Sequence, residues 1–133
     1  MSRSCALMAV VGAAAVAAGC GGEPAAVTVP GTTLRVVLDE YRIRPQNVRM
    51  HAGRIHLVAV NEGRLTHNLA VQSITDDPTK VLVYGRTDTA HPGQTVTERD
   101  PIVLEPGRYR LACTIANHDN LGQYGELKVQ SNR

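Results

Sequence analysis

The chain contains no tryptophan and no phenylalanine. Its core must therefore be built from Val, Leu, Ile and Ala, helped by a few of the four tyrosines. Neither sign of charge dominates, with 14 Lys and Arg against 12 Asp and Glu. Beyond the N-terminus the arginines are scattered from Arg35 to Arg133. Nothing resembles the clustered basic face that nucleic acid demands. No segment of adequate length carries a helical apolar period. There is no internal repeat. There is also no nucleophile motif, no phosphate-binding glycine loop and no pair of carboxylates placed for acid–base work. These absences argue against an enzyme and against a small-molecule substrate. Cysteine is scarce, with three in 133 residues, and each asks for its own explanation.

The N-terminal stretch accounts for two of them. Arg3 supplies a short positive head, and Cys5 to Ala18 is almost purely apolar. That run is short for a bilayer span and fits the apolar region of an export signal. It ends Ala17-Ala18-Gly19-Cys20. Small residues followed by Cys resemble the lipobox of bacterial lipoproteins, although Ala17 stands where Leu or Val is usual. The resemblance implies removal of residues 1–19 and a lipid on the Cys20 sulfur. The plain alternative is an ordinary signal peptide with Cys20 a chance thiol. Residues 20–32, with Gly21-Gly22-Glu23-Pro24, read as a flexible tether. The expected location is the outer face of a bacterial cell membrane. Cys113 is then the free thiol of an exported domain, and a metal ligand is one explanation for it.

From residue 33 to 133 the pattern is short strands between turn residues. Leu34, Val36 and Leu38 alternate with Arg35, Val37 and Asp39. Further extended pieces are expected at Asn47–Met50, Arg54–Val60, Thr66–Val71, Val81–Tyr84, Thr95–Thr97, Tyr109–Cys113 and Leu127–Val129. Asn61-Glu62-Gly63, His91-Pro92-Gly93 and Glu105-Pro106-Gly107 punctuate them. Roughly seven or eight short strands in one domain predict an all-β, Greek-key β-sandwich.

The chemistry gathers near the C-terminus. Cys113-Thr-Ile-Ala-Asn-His118-Asp-Asn-Leu-Gly-Gln123 reads as Cys-x4-His-x4-Gln. A thiolate and an imidazole on one loop can turn toward one point, and His67 offers a second imidazole from an earlier strand. One Cys and two His in a trigonal set, with a weak axial group, favour a blue-copper site cycling between Cu(I) and Cu(II). Zinc suits the set less well, because structural zinc sites prefer more than one Cys. Taken singly, His67 would be an ordinary hydrogen-bonded His, Cys113 a small buried hydrophobe, His118 a loop residue and Gln123 solvated. Their joint spacing carries the site. His51, His56 and His91 fit no ligand position.

Residues Leu34 to Val129 resemble the cupredoxin family, of the plastocyanin and azurin type. The resemblance rests on Pro45-Gln46-Asn47-Val48 with Ala52-Gly53, on Leu57 to Asn61 with Gly63, and on His67-Asn68-Leu69. It rests above all on Pro106-Gly107-Arg108-Tyr109 leading into Cys113, His118 and Tyr124-Gly125-Glu126-Leu127. It implies one copper ion held strongly by His67, Cys113 and His118. It gives Asn68 a supporting role between the ligand loops. Gln123 occupies the axial position that usually carries Met, which is similar to the stellacyanin type, although the stellacyanin disulfide has no counterpart here. The family function implied is electron transfer to a redox partner protein. His118 would be the electron port, rimmed by Leu65, Ile115, Ala116 and Leu121. The alternatives are a copper-binding or copper-delivery protein without redox work, and a sandwich serving only in adhesion or assembly.

Overall fold

The computed structural model describes residues 21–132. The stretch read as an export signal and Cys20 lie outside them. Among the described residues eleven strands follow in order. They are β1 (Val27–Thr28), β2 (Thr33–Asp39), β3 (Arg42–Arg44), β4 (Asn47–His51) and β5 (Gly53–Asn61). Then come β6 (Ala70–Gln72), β7 (Val83–Arg86), β8 (Thr95–Thr97), β9 (Ile102–Leu104), β10 (Gly107–Ala112) and β11 (Tyr124–Gln130). Two single-turn 3-10 helices sit at Pro78–Lys80 and His118–Leu121. Among the described residues no helix is long and apolar enough to cross a membrane.

Alternation decides which side of each strand is buried, because successive side chains point to opposite faces. In β2, Leu34, Val36 and Leu38 are buried while Thr33 and Arg35 face out. In β5, Ile55, Leu57, Ala59 and Asn61 are buried in the same rhythm. The two strands pair in parallel with Leu34 beside Leu57 and Leu38 beside Asn61, so their buried faces coincide. β10 and β11 pair antiparallel with Tyr109 opposite Leu127 and Leu111 opposite Gly125.

Two sheets result. One runs β1-β4-β11-β10-β6-β7, and the other runs β3-β2-β5-β8, with β9 pairing the first half of β5. Their inner faces enclose Leu34, Leu38, Met50, Leu57, Leu69, Leu111 and Leu127. The aliphatic core expected from the missing Phe and Trp is what forms. Tyr109 joins its margin, with its hydroxyl donating to the Glu105 carbonyl at 2.8 Å. Gly125 is obligatory where β11 meets β4, since a Cβ there would run into the Gln46 carbonyl.

The all-β sandwich is as expected, with differences in detail. β1, β3 and β9 add to the anticipated count because each is only two or three residues long. β1 falls inside the stretch read as tether and pairs in parallel with β4. Thr66–Val71 is not one strand. His67 makes an isolated bridge to Ala90, and regular pairing with β10 starts only at Ala70. The consequence is that His67 leaves the sheet edge at the end where β10 finishes and β11 begins.

Candidate metal centre

Asn61 closes β5 and shapes the turn that delivers the first histidine. Its Nδ2 donates to the carbonyls of Leu65 at 2.8 Å and Ala90 at 2.9 Å, and its Oδ1 accepts from the Gly63 N–H. His67 is then held by reciprocal backbone bonds with Ala90, at 3.0 and 2.8 Å. Its side chain is fully buried.

Cys113 is the first residue past β10, and its N–H donates to the Gln123 carbonyl at 3.1 Å. That bond ties the two ends of the loop. Between them the chain must reverse, and Ala116 and Asn117 both take left-handed backbone conformations to do so, at φ 47° and 57°. Asn accepts that region readily, whereas Ala does so at a cost. The reversal starts the 3-10 turn at His118 and aims its ring back at Cys113. Gly122 ends the turn at φ 111°.

The three side chains converge. Cys113 Sγ lies 3.9 Å from His67 Nδ1 and 3.7 Å from His118 Nδ1. One donor atom from each residue falls within 4.8 Å of the others, and all three residues are buried. Metal–nitrogen and metal–thiolate bonds of about 2.0 and 2.3 Å, meeting at about 120°, would separate such donors by roughly 3.8 Å. The cluster would therefore fit one ion held by two imidazole nitrogens and one sulfur.

Gln123 is also fully buried. Its Nε2 donates to the Asp39 carbonyl at 2.5 Å and to the Arg42 carbonyl at 3.3 Å. Its Oε1 is buried without a hydrogen-bond partner. An unpartnered buried amide oxygen is costly, by about 1–3 kcal/mol. The Gln123 side chain also bears on the neighbouring His67 imidazole, and an oxygen left without a well-formed hydrogen bond beside the donor set would fit a cation there.

The surroundings are dry, and this shows in the acid–base behaviour. Burial pushes the His67 imidazole below its usual range, against the opposing pull of Glu40. Burial pushes the Cys113 thiol up, opposed by the backbone N–H groups of Asn68 and Ile115. The imidazole is thus kept in the neutral form that can bind a metal. The thiol stays protonated until a cation makes the thiolate favourable.

Asn68 occupies the bridging place expected of it. It bonds Thr114, the residue after Cys113, through both ends of its amide. The other histidines stay away from the cluster. His56 pairs with Glu98 at 3.0 Å, His51 is exposed on β4, and exposed His91 makes a long 3.5 Å contact with Thr66. His118 itself is only 7% exposed, so it is more enclosed than an open port. Tyr41 meets its ring edge-on at a centroid distance of 5.4 Å. Leu65 and Leu121 are exposed nearby, Ala116 is exposed and Ile115 is half-buried.

Two neighbours were not legible beforehand. Glu40 places Oε1 3.6 Å from His67 Nε2, and Tyr41 covers His118. Both lie in the turn between β2 and β3, far from the ligand motifs in sequence. A polar residue breaking the β2 alternation was the only signal, and it reads as a plain turn.

No family model and no curated protein sequence matches the chain. Solved structures do. Reduced auracyanin from Roseiflexus castenholzii aligns with a TM-score of 0.64 at 18% identity, over 75% of this chain and 98% of that one. Auracyanin A, described as a "blue" copper protein from Chloroflexus aurantiacus, aligns at 0.62 and 15% identity, over 78% and 100%. Rusticyanin from Thiobacillus ferrooxidans aligns at 0.58 and 15% identity, over 79% and 82%. At these identities the shared property is the backbone arrangement. The two-sheet β-sandwich of this chain matches theirs, and the chain has the cupredoxin fold.

Proposed function

We propose that this protein binds one copper ion through His67, Cys113 and His118, with Gln123 as a weak axial donor, and carries single electrons. The observation that supports it most is the convergence of one thiol and two Nδ1 atoms in a buried cluster. When bound, the ion would supply the one-electron Cu(II)/Cu(I) couple. The chain's own contribution would be to hold one soft thiolate and two imidazoles in a buried, preformed set, so that little protein would have to move between the two oxidation states. The likeness to a "blue" copper protein supports the same reading.

Electron transfer is favoured over copper delivery because the donors are deep in the fold. A protein that hands over its metal needs a ligand that can let go at the surface, and the three donors are buried. A closed site also offers no open position for a substrate, which favours a carrier over an enzyme. The partner would be another redox protein, meeting the exposed apolar residues Leu65 and Leu121 beside the loop. Lipid attachment at Cys20, outside the described residues, would hold this exchange at the outer face of a membrane.

The direct test is the visible spectrum after adding Cu(II). An intense thiolate-to-copper band is expected in the wild type and absent in Cys113→Ser. Alanine at His51 or His91 should leave it in place. A full-strength band in Cys113→Ser would end the copper-site reading.

A further inference from the structure

We infer that Glu40 is a positioning residue for the metal centre, fixing the tautomer and tilt of His67 and lowering the reduction potential. The inference rests on the copper reading above and extends it to a residue outside the ligand set.

His67 has two ring nitrogens, and only one can hold a metal. Nδ1 faces the Cys113 sulfur at 3.9 Å. Nε2 is buried and makes no well-formed hydrogen bond, and the side chains that bear on the ring are the Glu40 carboxylate first and the Gln123 amide second. The nearest ion-pairing group is the Glu40 carboxylate, with Oε1 at 3.6 Å. A neutral imidazole carries one N–H, and the nitrogen that bears it is useless as a ligand. A carboxylate only accepts. Set against Nε2, it favours the proton there and leaves the Nδ1 lone pair free for the ion.

The position of the carboxylate is independently fixed. Its Oε1 accepts from the backbone N–H of Arg64 at 2.6 Å and of Leu65 at 3.0 Å. These are residues of the very turn that leads into His67. Gly63 makes the approach feasible, because a Cβ at that position would overlap the Glu40 carboxylate. Tyr41 takes a left-handed conformation, φ 63°, as the chain turns out of β2 just after Glu40. The backbone thus holds the carboxylate by contacts that do not involve the ring. Carboxylate–histidine–metal arrangements of this type orient the ring and make its ligating nitrogen more basic. The added negative charge favours Cu(II) over Cu(I).

Two substitutions separate charge from shape. Glu40→Gln keeps an oxygen for the Arg64 and Leu65 N–H groups and removes only the charge. Glu40→Ala removes both. The copper-loaded protein is compared by reversible voltammetry and by separate Cu(II) and Cu(I) competition titrations. The metal-free protein is compared by nitrogen NMR of the His67 ring and by thermal melting. In Glu40→Gln, Cu(II) affinity should fall about 10- to 100-fold, with a smaller change for Cu(I). A tenfold difference between the two ions corresponds to an upward shift of about 59 mV. The metal-free melting temperature should stay near the wild-type value. In metal-free wild type the His67 proton should sit on Nε2, and in Glu40→Ala both tautomers should appear. An unshifted potential in Glu40→Gln, together with an unchanged tautomer in Glu40→Ala, would reduce Glu40 to a loop anchor and overturn the inference. Wild-type protein that binds no copper would overturn the copper reading instead, and the tautomer measurement would still decide Glu40.

Discussion

Asn68 and Thr114 are bonded amide to backbone and amide to hydroxyl. The Thr114 N–H donates to Asn68 Oδ1 at 2.8 Å, and Asn68 Nδ2 donates to Thr114 Oγ1 at 2.9 Å. Each residue directly follows a ligand candidate, His67 and Cys113. The pair therefore fastens two loops that nothing covalent joins. Asn68→Ala should leave the Thr114 N–H without its partner in a partly buried place, at a cost of about 1–3 kcal/mol. Denaturant unfolding of the metal-free protein measures this. A variant as stable as wild type would show that water replaces the amide at no cost.

Copper should stabilise the fold. His67 and Cys113 are 46 residues apart in sequence, so the unfolded chain presents no comparable site. Metal that binds only the native state adds its binding energy to folding, about 4 kcal/mol at a thousandfold excess over Kd. The copper-loaded protein should melt at the higher temperature. Equal melting temperatures with copper demonstrably bound would refute this.

Gln123 should set the potential from the axial direction. An amide oxygen is a harder donor than a thioether and favours Cu(II). Gln123→Met should raise the potential and keep a blue site. Gln123→Leu should raise it further, because no axial donor is left. Both variants also give up the hydrogen bonds to Asp39 and Arg42, so some loss of stability, about 1 kcal/mol, accompanies the shift. Voltammetry on the three proteins at one pH decides the matter. A potential unmoved in both variants would remove Gln123 from the ligand set.

Cys20 should anchor the protein. Cys20→Ser is expected either to move the protein to the soluble fraction or to stall its processing, as read by fractionation and by the size of the product. Fully processed Cys20→Ser protein that stays with the membrane would count against lipidation.

The candidate site was legible because its spacing is local. Cys113, His118 and Gln123 share one loop, and the reversal at Ala116-Asn117 needs nothing distant to bring them together. His67 was legible through the motif around it. The strands with long alternation, β2, β5, β10 and β11, could be read because one face of each is buried. β1, β3 and β9 could not, since two or three residues carry no period. The surroundings of the site escaped for a different reason. The contacts of Glu40, Tyr41 and Asp39 depend on how one sheet lies over the other, and no sequence interval encodes that. The orientation of the Gln123 amide depends on the same stacking.

The turn of residues 39–42 reaches three of the four site residues. Glu40 faces His67, Tyr41 lies against His118, and the carbonyls of Asp39 and Arg42 hold Gln123. This turn joins β2 to β3, in the smaller sheet, while Cys113 and Gln123 adjoin β10 and β11 of the larger one and His67 leads toward β6. The site therefore straddles the seam of the sandwich. Any slide or swelling between the layers would be transmitted to the ligand set through four consecutive residues. A copper chromophore bound at that place would work as a strain gauge, so hydrostatic pressure or a partner leaning on one layer would register as a change of colour.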